Sequence, residues 1–412
     1  GARVSGFETL TADDAVATLD MSVYSNNTGF TRVNVANVNA GTTSITKAAA
    51  SLTTIGSSQA NTTTFALNTN TSSDALTFAG TTNVTQTALT ANDIETLTLN
   101  NTSTTAVTTA VTITTLTANS LSALNITGNG GMIVTNAIVG ATNLATITDS
   151  HVGGGALTLN VSNSTVATTF TGSQSGTGAT TLTMANVANT VTAGAGALTY
   201  TGGTSTDNVT GSSLGDNLSG GSGADTLQGM DGEDTLSGGA GNDSIMGGNG
   251  NDTISTDSGA DTIDGGAGTD TLIVTSGFAD LSLDTITNVE TLNMASNNTS
   301  MTVANHTAFT TITNPAAITL TDAGTVSAKS NVTVYTLGNG TNTFTASATA
   351  ANNNITGGTG SDTFNFGLTS ANAQLFDAND TVNGGAGTDT VNITGNVALT
   401  VTLGSNFTNV ES

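Results

Sequence analysis

The 412-residue chain has no cysteine, no tryptophan, one proline (Pro315), two histidines and four basic residues, Arg3, Arg32, Lys47 and Lys329. The missing cysteines exclude disulfide frameworks, thiolate metal sites and cysteine nucleophiles. Against the four basic residues stand 29 acidic ones, a formal net charge of -25, so no basic face exists to hold nucleic acid or anionic lipid. Aromatics are only 4% of the chain, which implies a thin core of small aliphatic side chains and argues against a thick helical bundle. No apolar run approaches the ~18 residues of a membrane-spanning helix. The opening residues, GARVSGFETL, lack an initiator Met and the basic-then-apolar pattern of a secretory signal, and the sequence reads as part of a longer protein. His151 and His306 stand far apart with no HExxH spacing, so a zinc-protease site is absent and both read as packing or surface residues.

What is abundant is glycine, at 50 residues, while hydrophobic residues make up 36% and charged residues 8%. The hydrophobes alternate with Thr, Ser and Asn, unlike the few-hydrophobe, high-charge composition of disordered chains. Residues 202–273 divide without remainder into eight nine-residue units: GGTSTDNVT, GSSLGDNLS, GGSGADTLQ, GMDGEDTLS, GGAGNDSIM, GGNGNDTIS, TDSGADTID and GGAGTDTLI. Position six is always Asp (Asp207, Asp216, Asp225, Asp234, Asp243, Asp252, Asp261, Asp270) and position eight always aliphatic (Val209, Leu218, Leu227, Leu236, Ile245, Ile254, Ile263, Leu272). Two further units, GGTGSDTFN at 357–365 and GGAGTDTVN at 384–392, carry Asp362 and Asp389, with Asp380 in phase between them. A second motif recurs outside the nonads: FETL at 7–10, NDIETLTLN at 92–100, TNVETLNM at 287–294 and TNVES at 408–412.

In each nonad the glycines allow a tight turn, the Asp sets a carboxylate at its end, and the last three residues make a short strand whose aliphatic side chain points inward. Two units form one coil, and coils stack as parallel strands ~4.8 Å apart. Asp207, Asp225, Asp243 and Asp261 then form one column, and Asp216, Asp234, Asp252 and Asp270 a second. Like charges at that spacing repel by roughly 3 to 4 kcal/mol at an effective dielectric of 20. A hard cation between turns relieves the repulsion, and the shell on offer is all oxygen, as Ca²⁺ prefers. The predicted ligands are the eight aspartates with Asp362, Asp380 and Asp389. To these are added the carbonyls of Gly220, Gly223, Gly238, Gly241, Gly247, Gly250, Gly265, Gly268, Gly357, Gly360, Gly384 and Gly387. Leu214, Ser205, Met230 and the Thr256-Asp257 pair break the glycine pattern and are expected to alter or weaken the sites built from their turns.

These nonads resemble the RTX (repeat-in-toxin) calcium-binding repeats of secreted Gram-negative proteins. The resemblance implies an all-β fold, a parallel β-roll or β-solenoid with several Ca²⁺ ions in its turns, flanked by Thr/Asn-rich β regions. The repeat-register boundaries are 1–201 (Thr/Asn-rich β), 202–273 (nonads), 274–356 (intervening β), 357–392 (interrupted second block) and 393–412 (start of a further module). Short helices are expected at 13–21 and 46–52. The remaining composition and the "GGAGTDT … NVETL" modules are similar to crystalline surface-layer (S-layer) proteins. That likeness implies a secreted, non-enzymatic protein at the cell surface, exported by type I secretion. It would self-associate into a calcium-dependent lattice or another homo-oligomer, and parts outside this chain could reach cell-surface polysaccharide. RTX adhesins and the non-catalytic RTX part of a secreted hydrolase are the alternatives.

One catalytic pattern occurs, GSSLG at 211–215 with Ser213 at its centre. It falls inside the nonad register, whereas a nucleophile elbow needs a strand-turn-helix context and a histidine base. Asp231 and Asp234 could imitate a carboxylate dyad, but their place in a calcium turn favours ligation or solvated charge.

Overall fold

A computed structural model describes residues 9–12, 18–20, 32–35, 42–48, 54–57, 62–67, 73–80, 85–102, 110–257, 259–274, 278–295, 298–314, 317–330, 332–346, 353–368, 380–395 and 407–410. The fold is an all-β parallel solenoid, divided into two compact units, Gly1–Gly232 and Glu233–Ser412.

In the first unit, successive strands alternate between two sheets and pair in parallel with the strand after next. One sheet runs through Thr96–Asn101, Ala123–Gly128, Thr146–Asp149, Thr169–Thr171, Thr190–Thr192 and Asn208–Thr210. The other runs through Val111–Thr117, Met132–Val134, Leu157–Asn160, Thr180–Thr183, Leu198–Thr201 and Asn217–Ser222. The period-two pattern decides which side faces in: Leu97 pairs with Leu124, Leu124 with Ile147 and Ile147 with Phe170, all buried. Thr146, Thr148, Thr169, Thr171, Thr190 and Thr192 lie in the same registers on the exposed side.

The two expected helices are corrected. Within 13–21, Thr18–Asp20 is a strand paired with Ser44–Thr46, and within 46–52 the residues up to Ala48 finish the strand Thr42–Ala48. The other residues of both stretches lie outside the described set. In the described residues 18–20 and 46–48 ladder pairing prevails over local helix preference, Thr18 and Leu19 pairing with Ser44 and Ile45, because β-branched residues suit a pleated surface.

Within the second unit the nonad strands alternate between two parallel sheets, one ending at Thr285–Thr287 and the other at Thr311–Thr313. A third face starts at Phe278–Leu281, so the chain from 278 to 301 visits three faces in turn before the only helix of the described residues, Val303–Ala308. Thr302 caps that helix by accepting the Asn305 N–H. Asn305 is buried and donates to the carbonyls of Leu281 and Asp284 at 2.7 and 3.0 Å, satisfying backbone acceptors where the strand Thr285–Thr287 ends its sheet. Beyond it the third face alternates with a fourth, starting at Thr325–Ser327, and these two carry the second repeat block.

Candidate metal centre

Position eight of every nonad is buried as expected, from Val209 to Leu272 at 2% exposure or less. Position six is buried as well: all eight nonad aspartates are at 3% or less, and Asp362, Asp380 and Asp389 at 2% or less. A buried carboxylate is tolerated only if its oxygens are matched. The backbone matches one of them. The Asp207 N–H donates to Asp225 Oδ1 at 2.7 Å, and those of Asp234, Asp243 and Asp252 donate to Oδ1 of Asp252, Asp261 and Asp270 at 2.9, 2.9 and 2.8 Å. In the second block Asp362 does the same to Asp389 at 2.8 Å. Asp225, Asp252, Asp261, Asp270 and Asp389 are thus each tied to the coil before them, which offsets part of the repulsion within a column.

The other oxygen is where a cation fits. Asp252 Oδ2 and Asp270 Oδ2 are buried without a hydrogen-bond partner. A Cβ on Gly247 would collide with Asp252 Oδ2 and the Gly265 carbonyl, and one on Gly265 with Asp270 Oδ2 and the Asn288 carbonyl. The first-position glycine therefore keeps open a space lined by carboxylate and carbonyl oxygens. Gly220, Gly238, Gly357 and Gly384 stand in the same relation to Asp225, Asp243, Asp362 and Asp389. The fourth-position glycines Gly223, Gly241, Gly250, Gly268, Gly360 and Gly387 share left-handed backbone angles. Gly268 has φ 149° and packs on the Gly250 carbonyl, a conformation and an approach that a side chain would block. The described residues contain no cluster of three or more His, Cys, Asp or Glu side chains, so a cation held here would have to draw on backbone carbonyls such as those of Gly265 and Asn288 as well. An all-oxygen set of carboxylates and carbonyls is calcium chemistry.

Burial makes the metal-free charge costly. It pushes the Asp225 carboxyl up to about 6 despite the hydrogen bond from Asp207, and raises Asp216, Asp252 and Asp270 above the usual carboxylate range. Three irregular turns supply protein donors to the aspartate instead. Tyr200 donates its hydroxyl to Asp207 Oδ2 at 2.7 Å, and Thr256 to Asp261 Oδ2 at 2.6 Å. Ser212 donates its N–H to Asp216 Oδ2 at 2.6 Å and its hydroxyl to Oδ1 at 3.0 Å. Met230 and Leu214 are exposed, and Met230 adopts the left-handed φ of 84° that its position requires.

Sequence reasoning missed the residues that begin and end the ladders. Asn189, Asn342 and Asn353 take position six before Asp207, Asp362 and Asp380 and donate their N–H groups to those carboxylates at 2.8, 2.8 and 2.7 Å. The signal was present in Gly338-x-Gly340-x-Asn342-x-Phe344, which keeps the nonad spacing with Asn for Asp. At the other end, Glu290 Oε2 accepts the Asp270 N–H at 2.8 Å, and Asp284 Oδ1 accepts that of Asp261 at 2.9 Å. The recurrent Glu of the NVETL motif thus closes a ladder with a longer arm. Glu95 of NDIETL makes the same contact to Asp74 N–H at 2.8 Å. Ser213 lies in a turn between two strands, Asn208–Thr210 and Asn217–Ser222. His151 is buried with Nδ1 2.7 Å from Asp149 Oδ1. His306 is buried against Tyr335.

The RTX calcium-binding nonapeptide repeat family matches the chain in four copies, at residues 210–245, 238–272, 338–368 and 376–392. The first copy begins after Asp207, and the third reaches back to include the Asn342 turn. No curated protein matches the chain. Proteins with such repeats are typically secreted, and no helix among the described residues is long and apolar enough to cross a membrane. The nonads and the interrupted second block are RTX calcium-binding repeats, folded as a parallel β-roll that binds several Ca²⁺ ions.

Proposed function

We propose that this chain is a structural part of a calcium-dependent lattice on the outside of a cell, and that it has no catalytic role. The calcium half of the reading rests on Asp252 Oδ2 and Asp270 Oδ2, buried and unpartnered beside loop carbonyls. Bound Ca²⁺ neutralises these oxygens and rigidifies the coils. Residues 202–273 carry twelve acidic and no basic residues, a local charge that disfavours compaction until it is neutralised. Sites of one or two carboxylates with neutral carbonyls belong with the extracellular class, with Kd of about 10⁻⁴ to 10⁻³ M. The nonads would therefore stay open in calcium-poor cytosol and close outside. Metal binding of this kind is coupled to folding.

The lattice half rests on the exposed, uncharged ranks of threonine at 146, 148, 169, 171, 190 and 192. They offer flat β surface to neighbouring copies, held in fixed register by the coils. The test is to add Ca²⁺ to the purified chain in chelator and image the product by electron microscopy. Two-dimensional sheets that dissolve again in chelator are expected. Monomers at millimolar calcium that bind a sugar or a cell would replace the lattice with adhesion.

A further inference from the structure

Asn189 and Asn342 open the two repeat blocks in the same way. Both are buried, at 2% and 0% exposure. Asn342 Nδ2 donates to the carbonyls of Gly338 and Gly340 at 2.8 and 3.0 Å and to Asp362 Oδ1 at 3.0 Å. Asn189 Nδ2 donates to the carbonyls of Ala185 and Val187 at 3.1 and 2.6 Å and to Asp207 Oδ1 at 2.9 Å. In both turns the acceptors are the carbonyls four and two residues before the asparagine, plus the carboxylate of the next coil. They are oxygens of the kinds a calcium ion gathers between turns, and here an amide NH₂ sits among them.

We infer that Asn189 and Asn342 are built-in stand-ins for calcium: the side-chain amide draws the loop oxygens together, so that each block starts on a turn that folds without metal. The chemistry allows this for asparagine and not for the aspartate that holds position six elsewhere. An aspartate carboxylate has no proton to donate and would face the same oxygens with like polarity unless a cation intervened. The first turn is also sealed on its far side. Asp207 Oδ1 takes the Asn189 N–H and amide, and Oδ2 takes the Tyr200 hydroxyl. Asp362 Oδ2 takes the Gly358 N–H at 3.2 Å. These metal-free turns give the calcium-requiring coils a preformed strand to pair with, which removes the nucleation step from calcium-driven folding. The inference rests on the calcium reading above for the identity of the ion replaced, but not for the role of the amide.

The full chain would be followed by native mass spectrometry for bound Ca²⁺ and by hydrogen exchange at 338–345 in excess chelator. The wild-type segment should stay protected in chelator. Asn342→Asp should bind one more Ca²⁺ per chain and make that protection calcium-dependent. Asn342→Ala should lose the protection and gain no ion, and Asn189→Asp should repeat the gain in the first block. An unchanged ion count together with unchanged protection in Asn342→Asp would overturn the inference, as would a wild-type segment unprotected in chelator. A wild-type chain that takes up no calcium would refute the calcium reading. Retention of protection in wild type and its loss in Asn342→Ala would still decide the amide's role.

Discussion

A coil upstream of the nonads and a coil within them solve the same problem with different materials. From Thr146 to its partner Thr169 the chain spends 23 residues on a turn, whereas Ser244 to its partner Thr262 takes 18. The longer coils bury two apolar side chains on a strand, Leu124 with Ile126 or Leu157 with Leu159. The nonad strands bury one, such as Ile245 or Ile254, beside a buried aspartate. Each fully buried aliphatic side chain stabilises by about 1.5–3 kcal/mol, while an uncompensated buried ion costs several kcal/mol. On the proposed function, the upstream coils stand on their own core, and the nonads exchange part of that core for a dependence on a cation. At the buried upstream Asp149 a histidine meets one of the two oxygens: His151 Nδ1 lies 2.7 Å from Oδ1, and the Asp149 hydrogen bond raises the His151 pKa.

The sharpest way to break this contrast is to cut the core in both regions. Leu124→Ala should cost about 2–5 kcal/mol with or without calcium. Ile254→Ala should cost as much in saturating calcium and nothing in chelator, where its coil is already open; equal costs in both conditions would erase the distinction. Removing ligands comes next. Asp243→Ala with Asp252→Ala should lower the number of bound Ca²⁺ ions, counted by native mass spectrometry, and lower the melting temperature of the nonads in calcium, leaving protection of residues 123–192 unchanged.

A smaller effect is expected from pH in chelator. Burial raises the Asp225 and Asp284 carboxyls from the ordinary carboxylate value to about 6, so the folded form binds their protons more readily than the unfolded form. Their stabilisation is fully present below about pH 4 and is lost as pH rises through about 6. Residual nonad structure in chelator, followed by circular dichroism, should increase on acidification from pH 7 to pH 4. The opposite slope would mean that these carboxylates are compensated without metal. The smallest change is Glu290→Gln, which keeps an acceptor for the Asp270 N–H and should cost about 1 kcal/mol or less, against a larger loss for Glu290→Ala.

Much of this was legible because the nonad is short and its register unbroken. Position eight reads directly as an inward column and position six as a column of acids, and together they imply parallel stacking. What the spacing could not convey is that the carboxylates turn inward to accept backbone N–H groups from the preceding coil, since that contact joins residues 18 apart in sequence. The same holds for Asn189 and Asn342, whose local sequence reads as turn, and for Thr256, whose hydroxyl occupies the aspartate oxygen that a glycine leaves open. The third face starting at Phe278–Leu281 and the helix Val303–Ala308 were illegible for a related reason. The helix follows from where a sheet ends, and its buried Asn305 answers carbonyls more than 20 residues away.

The central claim is that the nonads owe their order to calcium while the upstream coils do not. Peptide-resolved hydrogen exchange on the full chain, with and without Ca²⁺, tests it most directly. In excess chelator, residues 235–272 should exchange as an open chain while 123–192 remain protected, and Ca²⁺ raised through the millimolar range should restore protection to 235–272. Protection of 235–272 in chelator equal to that of 123–192 would contradict the account, because the column from Leu236 to Leu272 would then suffice without metal.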